Sequence, residues 1–287
     1  MAAGALILAI GHSARDTYEA LLSTRLSIEA KPFSVGMRIE HLAERIDCAM
    51  YGDFAGHPAL GHAEYALSDT RSERGVYTFC MCPGGEVMAA ASEQDTVVVN
   101  GMSYRARDGK NSNAAVVVSM QPTDYQCVDG SLVKGAIALQ RSIERQAFLV
   151  GGGSYRAPVQ TVGDFLAGKS GTEPCRVMPT YMQGHCQVAD LSKVFPECVT
   201  RTLRYGFEVF DKKLEGYAAC DAVLTGAETR TSAPVRITRT EQGTAPGFPE
   251  IYPCGEGAGY AGGITSAAVD GIKSALAYME RFTPYLI

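Results

Sequence analysis

The sequence lacks a surplus of basic residues: 26 Lys and Arg stand against 31 Asp and Glu, for a formal charge of −5. Neutralising phosphates calls for a positive face, so no nucleic-acid partner is expected. No apolar run approaches the roughly 18 residues that a membrane-spanning helix needs, and no membrane association is expected. The opening Met1–His12 stretch has no basic residue ahead of its apolar run and no small-residue cleavage site, so it does not read as a secretory signal. Paired metal or redox motifs are scarce as well. The nine cysteines are an odd number without a CxxC, and the five histidines do not stand at zinc-finger spacing from them. These absences exclude a disulfide scaffold and fit a reducing, cytoplasmic compartment in which most thiols serve as small buried hydrophobes.

What the sequence does contain is enough apolar side chain, 46% of 287 residues, for a large core. At roughly 100–200 residues per domain, two domains are expected. The run Ala5–Ile10, ended by Gly11, reads as a strand buried on both faces. Ser13 is placed to cap a helix from Arg15 to Leu22, with Asp16 and Glu19 near its positive end. Strand-like segments follow at Val35–Ile39, Gly75–Cys80, Glu86–Ala90 and Val116–Val118, and residues 40–70 read as loops with short helical turns. Apolar spacing predicts helices at Leu132–Phe148, Thr161–Leu166 and Cys198–Phe210, the first stopped by Gly151-Gly152-Gly153, which lacks the Lys of a phosphate loop. Strands at Ala222–Thr225 and Val235–Thr238 lead into the C-terminal part.

There, Ile251-Tyr252-Pro253-Cys254 enters Gly255-Glu256-Gly257-Ala258-Gly259-Tyr260-Ala261-Gly262-Gly263-Ile264, followed by a helix to about Arg281. Glycines permit positive φ and close backbone approach to a ligand. A helix start adds unpaired N–H groups and positive potential, a combination suited to an anion or a polarised oxygen. Gly257–Gly262 matches G-x-G-x-x-G, but a dinucleotide fingerprint needs a further strand with an acidic residue about 20 residues on. The sequence reaches Ile287 without one, so this is not expected to be an ADP-binding loop.

The segment instead resembles the C-terminal flavin motif of FAD-dependent oxidoreductases, in which a strand ends in Gly-Asp or Gly-Glu and a Gly-Gly pair opens the last helix. Leu6-Ile7-Leu8-Ala9-Ile10-Gly11-His12 is similar to the strand that lies beside FAD in those proteins. Phe79-Cys80-Met81-Cys82-Pro83-Gly84-Gly85 and Ala227–Arg236 are similar to the bacterial NAD(FAD)-utilising dehydrogenases. The resemblance implies an α/β fold, α+β in its whole composition. It implies a partial Rossmann-like FAD-binding sheet made from both chain ends (1–34 and 246–287) and a mostly β substrate domain (35–245) with a helical insertion at about 132–220. It further implies that Gly11, Gly255, Glu256, Gly257, Gly262, Gly263 and Ile264 hold FAD. Glu256 would bind a ribityl hydroxyl, and the amides of Gly263 and Ile264 would face the flavin N1/C2 edge. The family label brings NAD(P)H as reductant and a small molecule as substrate. Such flavoproteins start with a strand–GxGxxG–helix unit, and none stands before Leu6, so the sequence is expected to be the C-terminal portion of a longer protein. An uncovered apolar face and strand edge would then favour self-association. A non-enzymatic binding or regulatory module is the alternative.

Other candidates keep two readings each. Cys80 and Cys82, two apart on a strand, would point the same way and could cooperate in redox or nucleophilic chemistry, or be core. Arg230 and Arg236 suit a substrate carboxylate or phosphate, or surface ion pairs. His57 and His62, with His41 and Asp47, have no helical ligand spacing, so no metal is expected, although one could donate a proton.

Overall fold

The structure, a computed structural model, describes residues 4–282. In chain order the elements are β1 (Leu6–Leu8), α1 (Arg15–Leu22), β2 (Ile28–Ala30), β3 (Phe33–Leu42), α2 (Ala43–Tyr51), β4 (Ser68–Asp69), β5 (Val76–Cys82), β6 (Gly85–Ala89) and β7 (Val99–Ser103). They continue with β8 (Asn111–Met120), α3 (Leu132–Val150), β9 (Ala157–Thr161), α4 (Val162–Ala167), β10 (Cys186–Val188) and α5 (Glu197–Lys213). The last are β11 (Val223–Glu228), β12 (Val235–Ile237), β13 (Ile251–Pro253) and α6 (Ile264–Arg281). The chain is thus α+β, and its largest sheet mixes parallel and antiparallel pairs.

Two compact units emerge. The smaller gathers Met1–Phe33, Met120–Leu139 and Arg230–Ile287; the larger holds Ser34–Ser119 and Gln140–Thr229. Both chain ends therefore share a unit, which also takes in residues 120–139 and 230–245 beyond the boundaries read from the sequence. In it, β1 pairs in parallel with β13, Leu6 opposite Ile251 and Leu8 opposite Pro253. The expected neighbourhood of the two terminal strands is present. A second ribbon pairs β12 antiparallel to β2, Val235 opposite Ala30. Tyr18 of α1, Val133 and Ile137 of α3 and Val235 form the core between them.

The larger unit is built on a seven-stranded sheet in the order β10-β9-β11-β3-β8-β5-β4, with β6 and β7 forming a separate antiparallel hairpin. Strand β3 can lie flush on β8 only because residue 36 is glycine: a Cβ there would fall 2.0 Å from the Val116 carbonyl oxygen. The amphipathic α5 buries Val199, Leu203, Phe207 and Phe210. Gly206 lets α5 approach Val76 of β5, and Phe165, Phe207, Phe210 and Tyr217 close an aromatic cluster.

Several local readings need correction. β1 is half as long as its apolar run, and Leu6 and Ile7 are 49% and 46% exposed rather than buried. Among the described residues its only strand partner is β13. Ser13 does not cap α1; Ala14 holds that position without a side-chain bond. Residues 40–70 contain a nine-residue helix, α2, longer than the short helical turns expected among loops there. The 132–220 stretch is not purely helical, since β9 and β10 join the large sheet from within it. β2 and β7 are too short and polar to show the alternation that marks a strand.

Candidate functional site

The glycine-rich turn joins β13 to α6, and its shape follows from where glycine is obligatory. Gly255 and Gly259 have φ of +75° and +83°, a region that L side chains avoid. Gly11, at φ +70°, lies three residues beyond the end of β1, the strand opposite. A Cβ on Gly257 would fall 2.2 Å from the Gly11 carbonyl oxygen, so the two backbones touch with no room for a side chain. Tyr18 locks this contact from below: its buried hydroxyl donates to the Gly257 carbonyl at 2.8 Å and lies 3.2 Å from that of Gly11. Burial, with Glu256 adding to it, holds the phenol far above its ordinary pKa, so it remains a donor.

Gly255 is fixed from the helix side. Its N–H donates to Asp270 Oδ2 at 2.7 Å, and Asp270 also accepts from Arg239 Nη1 at 3.1 Å and Nη2 at 3.0 Å. Arg239 reaches the Pro253 carbonyl as well, and its guanidinium stacks 3.5 Å from the centre of the Tyr260 ring. Burial pushes the Asp270 carboxyl upward, but the Arg239 and Gly255 hydrogen bonds outweigh it and leave it below its ordinary value. One carboxylate thus ties strand end, loop and helix together.

Above this brace the loop is open. A Cβ added at Gly11, Gly255, Gly262 or Gly263 would meet no heavy atom within 4 Å. Four of the expected cofactor positions therefore have open space where a side chain would stand, with Gly11 and Gly262 exposed and Gly255 buried. Gly263 caps α6 with no side-chain bond, so the first-turn N–H groups have no intrahelical acceptor. The Ile264 side chain is 92% exposed. Glu256 is half-buried, 3.3 Å from His12 Nδ1. Lys31 is close enough for burial, the Arg236 charge and the opposing Glu256 charge to shift it, with a net fall in its pKa.

The predicted anion-binding arginines differ in setting. Arg236, opposite Glu29 in the β2–β12 ribbon, is half-buried over the Tyr260 ring at 5.3 Å, and its Nε is buried without a hydrogen-bond partner. Arg230 is almost fully buried and already engaged. The histidines do not converge: His41 is buried on the Tyr217 carbonyl, His62 pairs with Asp47 at 2.7 Å, and His57 is exposed. Among the described residues no group of three potential metal ligands comes together.

Cys80 and Cys82, in the larger unit, do not share a face as simple alternation predicts. The β5–β8 register slips by one residue between Phe79 and Cys82, and Cys80 takes φ +47° at the resulting bulge. Cys80 is exposed while Cys82 is buried. The fully buried Arg38 spreads beneath them. It pairs with both carboxylate oxygens of Glu228 and donates through Nη1 to the Cys80 carbonyl at 2.7 Å and Asn113 Oδ1 at 3.1 Å. Nη2 donates to Asn100 Oδ1 at 2.8 Å.

Sequence reasoning missed Tyr18, Asp270, Arg239 and Arg38. Two of them leave a trace: Asp270 is the sole acidic residue between Gly263 and Glu280, and Arg38 interrupts the apolar run of β3. A charge placed where its element buries a face implies a partner.

Comparison with known proteins places these features. The model of the family described as FAD-dependent protein, C-terminal domain-like, matches residues 32–231. That span coincides closely with the larger unit and includes Cys80 and Cys82, whereas Gly11 and Gly255–Ile264 lie outside it. A relative from Clostridium beijerinckii, described as "Uncharacterized protein", is 50% identical over 280 residues, covering 97% of this chain and 52% of the relative. The chain thus spans about half the length of that relative.

Proposed function

The chain belongs to the family described as FAD-dependent protein, C-terminal domain-like, and we propose that it acts as part of a flavin-dependent oxidoreductase whose FAD rests on the loop between β13 and α6. The reading is carried by one observation: β1–β13 pairing sets Gly11 against Gly257 beside an uncapped helix start, with glycine backbone bare along the way. The residues present fit the cofactor. Open glycine backbone accommodates close approach of a pyrophosphate or a flat ring, and Arg236, 3.8 Å from Glu29 through Nη1, keeps a buried Nε without a partner.

When bound, FAD supplies two-electron transfer through its ring. The chain's own groups hold and polarise it. Glu256 accepts a hydrogen bond from a ribityl hydroxyl. The N–H groups of Gly263 and Ile264, at the positive end of α6, stabilise negative charge gathering on the oxygen edge that faces them. Gly11, Gly255, Gly257 and Gly262 keep side chains out of the way. Arg236, with Lys31 near it, favours an anionic group. The substrate is taken to be a small molecule.

Titrating the chain with FAD and following flavin fluorescence tests this. Saturable quenching is expected, and Glu256→Gln should weaken it about tenfold, because a neutral amide oxygen replaces a charged acceptor. Quenching that never saturates, or a curve that Glu256→Gln leaves in place, overturns the assignment.

A further inference from the structure

Outside that loop, the larger unit carries a second built arrangement. Three features set Cys80 and Cys82 apart from the other cysteines. The bulge turns Cys80 outward in a left-handed conformation that a non-glycine residue adopts only when its surroundings hold it there. The two residues are nevertheless linked, since Cys82 Sγ donates to the Cys80 carbonyl at 3.4 Å. Beneath them Arg38 places Nη1 3.9 Å from Cys82 Sγ, in a pocket so closely fitted that a Cβ on Gly101 would fall 2.4 Å from that nitrogen. Asn113, directly opposite Cys82 in the β5–β8 register, is fully buried, and its Nδ2 has no partner. A buried donor without an acceptor opposite Cys82 calls for an explanation that the surrounding side chains do not supply.

We propose that Cys80 and Cys82 form a dithiol–disulfide couple that reduces a low-molecular-weight disulfide, with Cys80 as nucleophile and Cys82 as resolving thiol. The Cys80 sulfur, as thiolate, attacks one sulfur of R–S–S–R; the Cys80–S–S–R bond forms and RS⁻ leaves. Cys82 gives its proton to that thiolate, attacks the Cys80 sulfur, and expels the second RS⁻. The pair loses two electrons and becomes a disulfide, while the small disulfide gains them as RSH and RS⁻. Arg38 acts as a positioning residue: its charge, shared with Glu228, favours the anionic sulfur, and its bond to the Cys80 carbonyl holds the bulge.

The groups facing the pair are Arg38 from β3, Glu228 from β11 and Tyr65. The neighbouring Cys82 thiol, working with Arg38 against burial, holds the Cys80 thiol down at about 5, while the same interaction and burial push Cys82 up. At pH 6 an ordinary thiol of pKa about 8.5 is roughly 0.3% thiolate, whereas Cys80 would be mostly ionised. The lower nucleophilicity of an acidic thiol removes much of that advantage, leaving a rate gain of about tenfold.

The test uses the full chain with dithiodipyridine at pH 6, peptide mapping by mass spectrometry, and circular dichroism to confirm folding. Cys80 should react about tenfold faster than the exposed Cys48, Cys127, Cys175 and Cys220. The wild type should yield a linked Cys80–Cys82 peptide. Cys82→Ser should stop with the probe half retained on Cys80, and Cys80→Ser, at an exposed position, should abolish both products. Cys80 labelling no faster than the other exposed cysteines, or a wild type that keeps the adduct without forming the linked peptide, overturns the proposal. Should Cys82→Ser fail to fold, the wild-type linkage and Cys80→Ser decide it alone.

Discussion

Replacing Asp270 with asparagine isolates the brace that shapes the glycine-rich loop. The carboxylate accepts three hydrogen bonds, from Gly255 N–H at 2.7 Å and from Arg239 at 3.0 and 3.1 Å. An amide keeps a single acceptor oxygen, so whichever way it faces, an NH2 group meets either Gly255 N–H or the guanidinium. Arg239 would also lose its counter-charge while remaining only 16% exposed. Stranding one partner of a buried ion pair costs about 3–5 kcal/mol, and the residual water contact of Arg239 places this case near the lower end. With a urea slope of about 2 kcal/mol/M, the unfolding midpoint should fall by about 1.5 M. The effect should also depend on pH with a definite sign. Because the folded carboxyl is held below its ordinary value, Asp270 contributes its full stabilisation above that value, and the contribution disappears as pH falls through the lower, folded one. The gap between wild type and Asp270→Asn should therefore be constant from neutral pH down to about pH 4 and close only below it. Urea titrations across that range check this. A midpoint shift under about 0.3 M, or a gap that closes already near pH 5, would refute the brace.

Four further outcomes follow from the same contacts. Gly257→Ala should destabilise the smaller unit by more than about 2 kcal/mol, since its Cβ meets Gly11 backbone rather than a movable side chain, and thermal unfolding reads the loss. Tyr18→Phe should cost about 1–2 kcal/mol in urea by removing a buried donor from the Gly257 carbonyl, and weaken FAD binding through the loosened Gly11–Gly257 contact. Glu228→Gln should cost about 3–5 kcal/mol, because Arg38 is left buried without its carboxylate, and a change under 1 kcal/mol would show the pair to be solvated. On α6, Ile264, Ile272, Leu276 and Met279 are exposed. If copies of the chain associate through them, Ile272→Glu with Leu276→Glu should shift sedimentation toward smaller species, and an unchanged distribution removes this face as the contact.

Periodicity announced most elements. The apolar stripe of Leu132–Phe148 and the heavy apolar face of α5 appear within a few residues of their expected ends, because each is a property of a short window that buries one face, whereas the valine run marks only the middle of the ten-residue β8. The terminal glycine motif was legible for a different reason: positive φ and close approach each require glycine, so the residue type itself reports the backbone. The α1 cap failed because Ser13 has competitors for the turn, and the Ser13 carbonyl rather than its side chain receives the Arg15 N–H. The facing of the cysteines failed because strict alternation assumes an unbroken ladder, and one extra residue in β5 inverts it.

Taken by itself, the sequence determined where the chain can turn, which stretches bury a face, and that a helix start rich in glycine stands at one end. Only the tertiary structure decided which partners meet there: Asp270 under Gly255, Tyr18 beneath Gly257, and Arg38 under a pair of thiols and joined to Glu228, 190 residues away. Periodicity is written in neighbouring residues and survives in any fold that buries the same face. A buried charge is tolerable only beside a partner that long-range packing delivers, and no local pattern names that partner.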